Sequence, residues 1–284
     1  MPFVPLPGVL RERALAKLLP QNGLLAVLPD EVRARLLPHL AIADLPAGHE
    51  LGQPDGSFAR AYFPVTGVVS LLQRAADGGE RVGALVGHEG VVGLPPFLRD
   101  AGVTRVAVQC AGYALALGRE QLLDEWGRGG AFMRVLMRYG RAVAAQKVVL
   151  SACRAQHSLE QQLSTLLVLS VDRLPGQEAL LEQETAARGL GVATPQLAAA
   201  VERLCAVGAA TWRRPGLLAA HDGAPLRSLA CACHARVTSE YQRLLPADGN
   251  PLAAVPFTAE AAARRAVTRD AVLARGAGDR PHGG

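Results

Sequence analysis

The sequence predicts an α+β protein in which an antiparallel β-structure is followed by a long helix and a small helical domain. Residues 43–117 are short runs of Val, Leu, Tyr and Phe broken by Gly, Pro and Asp, which is typical of an antiparallel sandwich or barrel. Residues 119–157 show helical periodicity. Residues 181–208 form two short amphipathic stretches around a tight turn, the pattern of a helix-turn-helix.

Composition limits the classes of protein that this chain can form. Its 284 residues suffice for two domains with tails. A hydrophobic fraction of 50% with 4% aromatics predicts cores of Leu, Val and Ala and excludes a wholly disordered chain. The net charge of +5 permits polyanion binding without requiring it. The first residues show no basic region followed by an apolar run, and no stretch reaches about 18 uncharged apolar residues, so we expect a cytoplasmic protein with no membrane contact.

The cysteines predict reduced thiols rather than a disulfide framework. Five cysteines, an odd number, are scattered along the chain. Cys231 and Cys233, followed by His234, suggest a metal site, but they lack the usual two-residue gap and have no second ligand pair nearby in sequence. We therefore expect a packed helix face there and no metal.

The remaining elements follow from local signals. Residues 1–22 are expected to be loosely ordered, and a helical unit begins near Pro29. Ser158 and Gln161 form a capping-box pair at the start of a helix over 158–174. Residues 208–223 predict a β-hairpin wing that turns at Pro215 and Gly216, and a closing helix spans 225–245. The tail, 246–284, is expected to be largely disordered, with one short helix around 258–275.

The long helix carries a stripe with alternating spacings of four and three residues, which is typical of a coiled-coil seam. Its members are Phe132, Leu136, Tyr139, Val143, Gln146, Leu150 and Cys153. A polar residue on the seam and a flank of Arg134, Arg138, Arg141 and Lys147 favour a homodimer over packing of this helix within its own chain, although the same spacing suits both.

In this order of elements the chain resembles the Crp/Fnr family of bacterial transcription regulators over residues 24–245. The motifs that carry the resemblance are Tyr62-Phe63-Pro64 with Gly67-Val68-Val69-Ser70, the segment from Val86 to Leu94, the helix junction from His157 to Leu163, and Gln183-Glu184 ahead of Leu190-Gly191-Val192. The resemblance implies five segments: an N-terminal segment 1–22, a cyclic-nucleotide-binding-like β-roll sensor 23–128, a dimerisation helix 129–157, a winged helix-turn-helix 158–245 and a tail 246–284. It also implies a palindromic double-stranded DNA operator and RNA polymerase as partners.

The resemblance places an effector pocket around Gly93. Relatives that bind cyclic nucleotides carry a Glu for the ribose and an Arg for the phosphate. An ungapped alignment from Gly93 puts Leu94 and Thr104 at those positions, and Arg105 lies one residue later, on the opposite face of a strand. We therefore expect no cyclic-nucleotide binding.

We likewise expect no cofactor. No cysteine precedes Cys110, which excludes the N-terminal iron-sulfur cluster of some relatives. His49, His88 and Cys110 are weak haem candidates, because single His and Cys residues among strands are usually packed or surface residues.

The second helix of the helix-turn-helix is the expected DNA reader, with Thr194 as its N-cap. Family base-edge arginines correspond here to Thr194 and Ala199, so Gln196 is expected to contact adenine while Ala198 and Ala199 meet thymine methyls. The phosphate contacts are expected to come from Arg188, Arg203, Arg213 and Arg214.

An alternative interpretation of the sequence is a dimeric sensor whose winged helix is degenerate and which acts through protein partners. An enzyme is not expected, because the sequence has no nucleophile elbow, Walker loop or paired metal motif.

Overall fold

The computed structural model describes residues 8–52, 57–75, 77–94, 103–176 and 178–245. The α-helices are α1 (Gly8–Leu18), α2 (Gly23–Ala26), α3 (Asp30–Leu36), α4 (Arg119–Gly127), α5 (Gly130–Gln156), α6 (Leu159–Val171), α7 (Gln183–Leu190), α8 (Thr194–Ala206), α9 (Ala224–Leu229) and α10 (Cys233–Leu244). The strands are β1 (Leu40–Leu45), β2 (Glu50–Leu51), β3 (Arg60–Pro64), β4 (Val68–Arg74), β5 (Glu80–Val86), β6 (Val103–Cys110), β7 (Gly112–Gly118), β8 (Glu178–Glu182), β9 (Thr211–Arg214) and β10 (Leu217–His221). The tail 246–284 and its expected helix lie outside the described residues.

The first seven strands form two antiparallel sheets, as the alternating turn-rich texture predicts. One sheet has the order β1-β7-β3 and the other the order β2-β6-β4-β5. Their buried side chains belong to one apolar core built mostly from Leu, Val and Ala, in agreement with the composition. We call this pair of sheets the β-roll.

The N-terminal helices pack on the β-roll, which corrects the expectation of a loose segment for residues 8–22, while residues 1–7 lie outside the described part of the chain. Leu15 and Leu19 are buried, and the Arg11 guanidinium donates to the Leu40 carbonyl at 2.6 Å. Asn22 is fully buried; its Oδ1 accepts from two backbone N–H groups of α2, and its amide donates to the Pro64 carbonyl at 2.9 Å. These contacts anchor the segment although its Pro- and Arg-containing composition looks loop-like.

Two glycines separate the helical stretch that follows the β-roll into α4 and α5. Gly129 and Gly130 both have positive φ, 70° and 73°, a conformation that other residues adopt only with strain. The 27-residue α5 then runs to Gln156, and α6 begins with the predicted capping box between Ser158 and Gln161. Within the described part of the chain, every helix is too short or too polar to span a bilayer.

The C-terminal helices surround a third small sheet of order β8-β10-β9. The hairpin β9–β10 is the predicted wing, and Gly216, at φ 81°, makes its turn. The strand β8 was not predicted, because its five residues are followed immediately by α7 and resemble the start of that helix. The closing helix predicted over 225–245 is divided into α9 and α10 by residues 230–232.

Candidate DNA interface and sensor pocket

The helix-turn-helix is made by α7 and α8. Gly191 ends α7 in the left-handed conformation (φ 71°), which lets the chain turn sharply. The inner face of α8 is buried through Leu197, Ala200, Val201 and Leu204, which agrees with the amphipathic pattern predicted for this stretch. The N-cap is Ala193 rather than Thr194, so Thr194 lies in the first turn and supplies no cap.

The outer face of α8 carries the expected base-contacting residues at its N-terminal half. Thr194, Gln196, Ala199 and Arg203 are exposed, and Ala198 is half-buried. Gln196 also closes the helix start, because its Oε1 accepts from the Ala193 N–H at 3.0 Å. A bidentate contact to adenine uses that same oxygen as well as the amide nitrogen. In this conformation the Gln196 amide nitrogen is therefore the more available group for a base edge.

Three of the four predicted phosphate-binding arginines pair with glutamates. Arg214 contacts Glu182 at 2.6 Å, Arg213 contacts Glu178, and both glutamates lie on β8. Arg203 contacts Glu160 of α6. Arg188 is exposed on α7 and makes no ion pair within the described ranges. The pairing of the wing arginines with glutamates could not be predicted from the sequence. Each arginine is more than thirty positions from its partner, and the strand β8 that carries both glutamates was not predicted.

The predicted effector pocket is only partly within the described residues. Gly93 has φ 84° and Leu94 packs, half-buried, against the core. Thr104 lies in β6, and residues 95–102 are outside the described chain. Arg105 forms an ion pair with Glu80 at 2.9 Å and lies 4.0 Å from a Glu50 oxygen. Its charge is therefore already balanced by carboxylates.

The stripe predicted as a dimer seam is buried inside the chain, which corrects that assignment. All seven of its residues are less than 10% exposed: Phe132, Leu136, Tyr139, Val143, Gln146, Leu150 and Cys153. The Tyr139 hydroxyl donates to the Val91 carbonyl at 3.0 Å. The Gln146 amide bonds the Leu85 backbone in both directions, at 2.8 and 3.2 Å, and donates to the Tyr241 hydroxyl. β5 and α10 thus occupy the face that a second chain would need.

A buried ion pair that was not predicted from the sequence joins the β-roll to the segment just after α6. Arg173 Nε donates to Glu89 Oε1 at 2.7 Å, and the two residues are 1% and 0% exposed. The Gly87 N–H also donates to the carboxylate, and Arg173 Nη1 donates to the Leu169 carbonyl at 2.8 Å. The Tyr241 ring of α10 lies 5.7 Å from the guanidinium carbon. Glu89 lies in the segment from Val86 to Leu94, but nothing in the sequence indicates that it pairs with an arginine eighty-four residues later.

A second polar contact crosses the same boundary. Ser70 of β4 donates to Gln109 of β6 at 2.8 Å, and Gln109 donates to Ser170 of α6 at 2.7 Å. All three side chains are buried. The β-roll and the helix that supports the helix-turn-helix therefore share two interior polar networks.

No protein-family model matches this chain. No curated protein matches it either.

Solved structures do resemble the protein. A transcriptional regulator assigned to the Crp/Fnr family from Eubacterium rectale superposes with a TM-score of 0.54 at 11% identity, covering 72% of this chain and 96% of that one. FixK2 from Bradyrhizobium japonicum has a TM-score of 0.49 at 16% identity, covering 68% and 98%. The c-di-GMP-responsive regulator CLP from Xanthomonas campestris has a TM-score of 0.48 at 16% identity, covering 69% and 100%.

The E. rectale superposition covers 96% of that regulator. In this chain the superposed elements run from paired antiparallel sheets through a long helix to C-terminal helices with a small sheet. The protein has the fold of the Crp/Fnr transcriptional regulators.

Proposed function

We propose that the protein is a DNA-binding transcriptional regulator of the Crp/Fnr type, a dimer whose β-roll responds to a signal. The observation that carries the proposal is the uncovered N-terminal half of α8 beside an exposed wing, while the inner face of the same helix is fully packed. A helix held in this way can enter a major groove without rearranging its own domain. RNA polymerase is the expected protein partner of such a regulator.

The charged groups around α8 suit the DNA backbone. The N-terminal end of α8 favours an anion through the helix dipole, although Pro195 has no N–H and the Gln196 N–H already donates to the Ala193 carbonyl. Arg188 can contact a phosphate directly, because it makes no ion pair within the described ranges that would first have to break. The exposed pairs that hold Arg203, Arg213 and Arg214 are each worth about 0–1 kcal/mol, so a phosphate can replace the carboxylate at small cost.

DNA binding is tested by selecting bound sequences from a random pool and measuring affinity at several salt concentrations. We expect a pseudo-palindrome with half-sites about one helical turn apart and a weak guanine preference. Arg188→Ala is expected to weaken binding to every sequence and to lower the salt slope by about one unit. Glu178→Gln, which releases Arg213, is expected to strengthen binding to every sequence instead.

Gln196 has a matched control in this selection. Gln196→Ala is expected to relax preference at one base pair per half-site by about 1–3 kcal/mol. Gln196→Glu keeps an oxygen for the Ala193 N–H but loses the amide donors, so it should lose the same preference while preserving the helix start. If the glutamate variant keeps the wild-type preference, Gln196 does not contact a base.

The dimer surface that we propose is the outer face of α5. A second stripe with alternating spacings of four and three residues lies there, and all of its residues are exposed: Met137, Arg141, Ala144, Val148, Ser151 and Ala155. Met137 and Val148 are 55% and 70% exposed and are two of the few large apolar side chains on the described surface. The stripe spans about 27 Å along the helix, and its small residues allow close approach of a second copy. We call it the outer stripe.

We further propose that the β-roll does not respond to cyclic AMP or cyclic GMP. A cyclic phosphodiester would have to displace Glu80 from Arg105, and Leu94 offers a ribose no hydrogen bond. Calorimetric titration is expected to show no binding at micromolar concentrations of either nucleotide. Micromolar binding that Arg105→Ala removes would show that this arginine serves the pocket after all.

The second candidate function is a dimeric sensor that acts through proteins. The observation that favours it is the pairing of three of the four expected phosphate-binding arginines with glutamates. Failure to enrich any sequence, together with loss of DNA binding at physiological salt, would select this candidate.

A further inference from the structure

Four metal-ligating side chains from distant parts of the sequence meet where α5 ends and α10 begins. Cys153 and His157 lie one helical turn apart at the end of α5, and Cys231 and Cys233 flank the start of α10. Their three sulfur atoms and one imidazole nitrogen all lie within 4.8 Å of one another. The second ligand pair that the Cys-x-Cys segment lacks in sequence is therefore supplied by the fold.

The ligand atoms point toward one another and not toward separate apolar neighbours. Cys153 Sγ lies 3.4 Å from Cys231 Sγ, and Cys233 Sγ lies 3.7 Å from His157 Nδ1. The three cysteines are 3–7% exposed and are all free thiols. Four potential ligand atoms therefore surround one buried point, each close enough to contact a single ion placed there.

A hydroxyl group lies beside one of the sulfurs. The Thr165 hydroxyl lies 3.1 Å from Cys231 Sγ and accepts from the Cys231 N–H, so its own proton can point to the sulfur. This hydrogen bond leaves the sulfur oriented toward the other three ligand atoms.

The spacing identifies the kind of metal. Zn²⁺ binds thiolate sulfur at about 2.3 Å and imidazole nitrogen at about 2.0–2.1 Å, so tetrahedral ligands lie about 3.6–3.8 Å apart. The two contacts of 3.4 and 3.7 Å are close to these values. An iron-sulfur cluster distributes its thiolates over several iron atoms and holds them farther apart. Three sulfurs with one imidazole are a donor set that zinc prefers.

We propose that Cys153, His157, Cys231 and Cys233 together bind one zinc ion in tetrahedral geometry. All four positions are filled by protein groups, so the site is structural and has no open position for a substrate. The ion fastens the end of α5 to the start of α10, next to the His157–Ser158 junction at which α6 begins. It thereby fixes where the helix-turn-helix sits at the end of the long helix.

The test is the metal content of the full-length protein purified without chelator and after incubation with zinc. We expect about one zinc per chain, and less than about 0.1 in Cys231→Ser or Cys153→Ser. The matched control, Cys205→Ser, replaces a half-buried cysteine outside the cluster and should keep the ion. Because a serine variant could fail to fold, His157→Gln is measured beside them and should bind zinc more weakly.

Cobalt gives an independent readout in the wild-type protein. Co²⁺ in place of zinc is expected to show the intense visible absorption of a tetrahedral site together with sulfur-to-cobalt charge transfer, both absent in Cys231→Ser. Each of three results would overturn the proposal: protein with five titratable thiols that takes up no zinc or cobalt, zinc that persists in Cys231→Ser, or stoichiometric iron in place of zinc.

Discussion

Arg173→Met is expected to destabilise the folded protein by about 3–5 kcal/mol, because it leaves the fully buried Glu89 carboxylate without its cation. Both side chains are almost completely shielded from solvent, and the Gly87 N–H alone cannot balance the charge. Urea unfolding followed by circular dichroism measures the change.

Two further variants separate the ion pair from the packing of the arginine stem. Adding Glu89→Gln to Arg173→Met removes the stranded charge and should recover a good part of the loss. Arg227→Met breaks the pairs that Arg227, whose side chain is 40% exposed, makes with Asp172 and Asp222, and it should cost no more than about 1 kcal/mol. Equal costs for Arg173→Met and Arg227→Met would mean that the buried pair is not a main support of the fold.

Val148→Asp is expected to convert the protein from dimer to monomer at micromolar concentration without unfolding it. Val148 is 70% exposed in the single chain, so a carboxylate there stays in water until a second copy approaches. In the proposed dimer the two aspartates would face each other across the outer stripe and lose hydration. Analytical ultracentrifugation measures the change.

The control for this variant is Val207→Asp, at a 54%-exposed valine that lies at the end of α8, away from α5. It should leave the protein dimeric. Leu136→Asp, on the buried stripe, should unfold the protein rather than merely dissociate it, since Leu136 is 2% exposed within the chain. A monomeric wild-type protein, or a Val148→Asp variant that remains dimeric, would exclude the outer stripe as the dimer surface.

Local signals in the sequence carried much of the fold. The capping box at Ser158, the inner face of α8 and the wing turn at Gly216 each depend on residues within a few positions of one another. Chemistry and spacing determine such features almost independently of the rest of the chain. These predictions are therefore confirmed in detail.

Features made by distant residues could not be predicted in the same way. The buried stripe of α5 was assigned to a second chain because a spacing of four and three residues shows that a face is covered but not what covers it. The thiol cluster was missed because its two halves are seventy-eight residues apart. Gln196 shows why the role of a single side chain could not be predicted. The same amide group can accept a hydrogen bond at the start of α8 or contact a base edge, and the sequence does not say which.

The two polar networks that cross from the β-roll to α6 have a consequence for how the molecule can be divided. Glu89 and Gln109 belong to the roll, yet their partners, Arg173 and Ser170, lie beyond the end of α5. A fragment that ended at Gln156 would contain Glu89 without its partner. The complementary fragment would contain Arg173 without the β-roll that buries it. We therefore expect the β-roll and the helical domain that follows α5 to unfold together in one transition, although they are separate segments of the sequence.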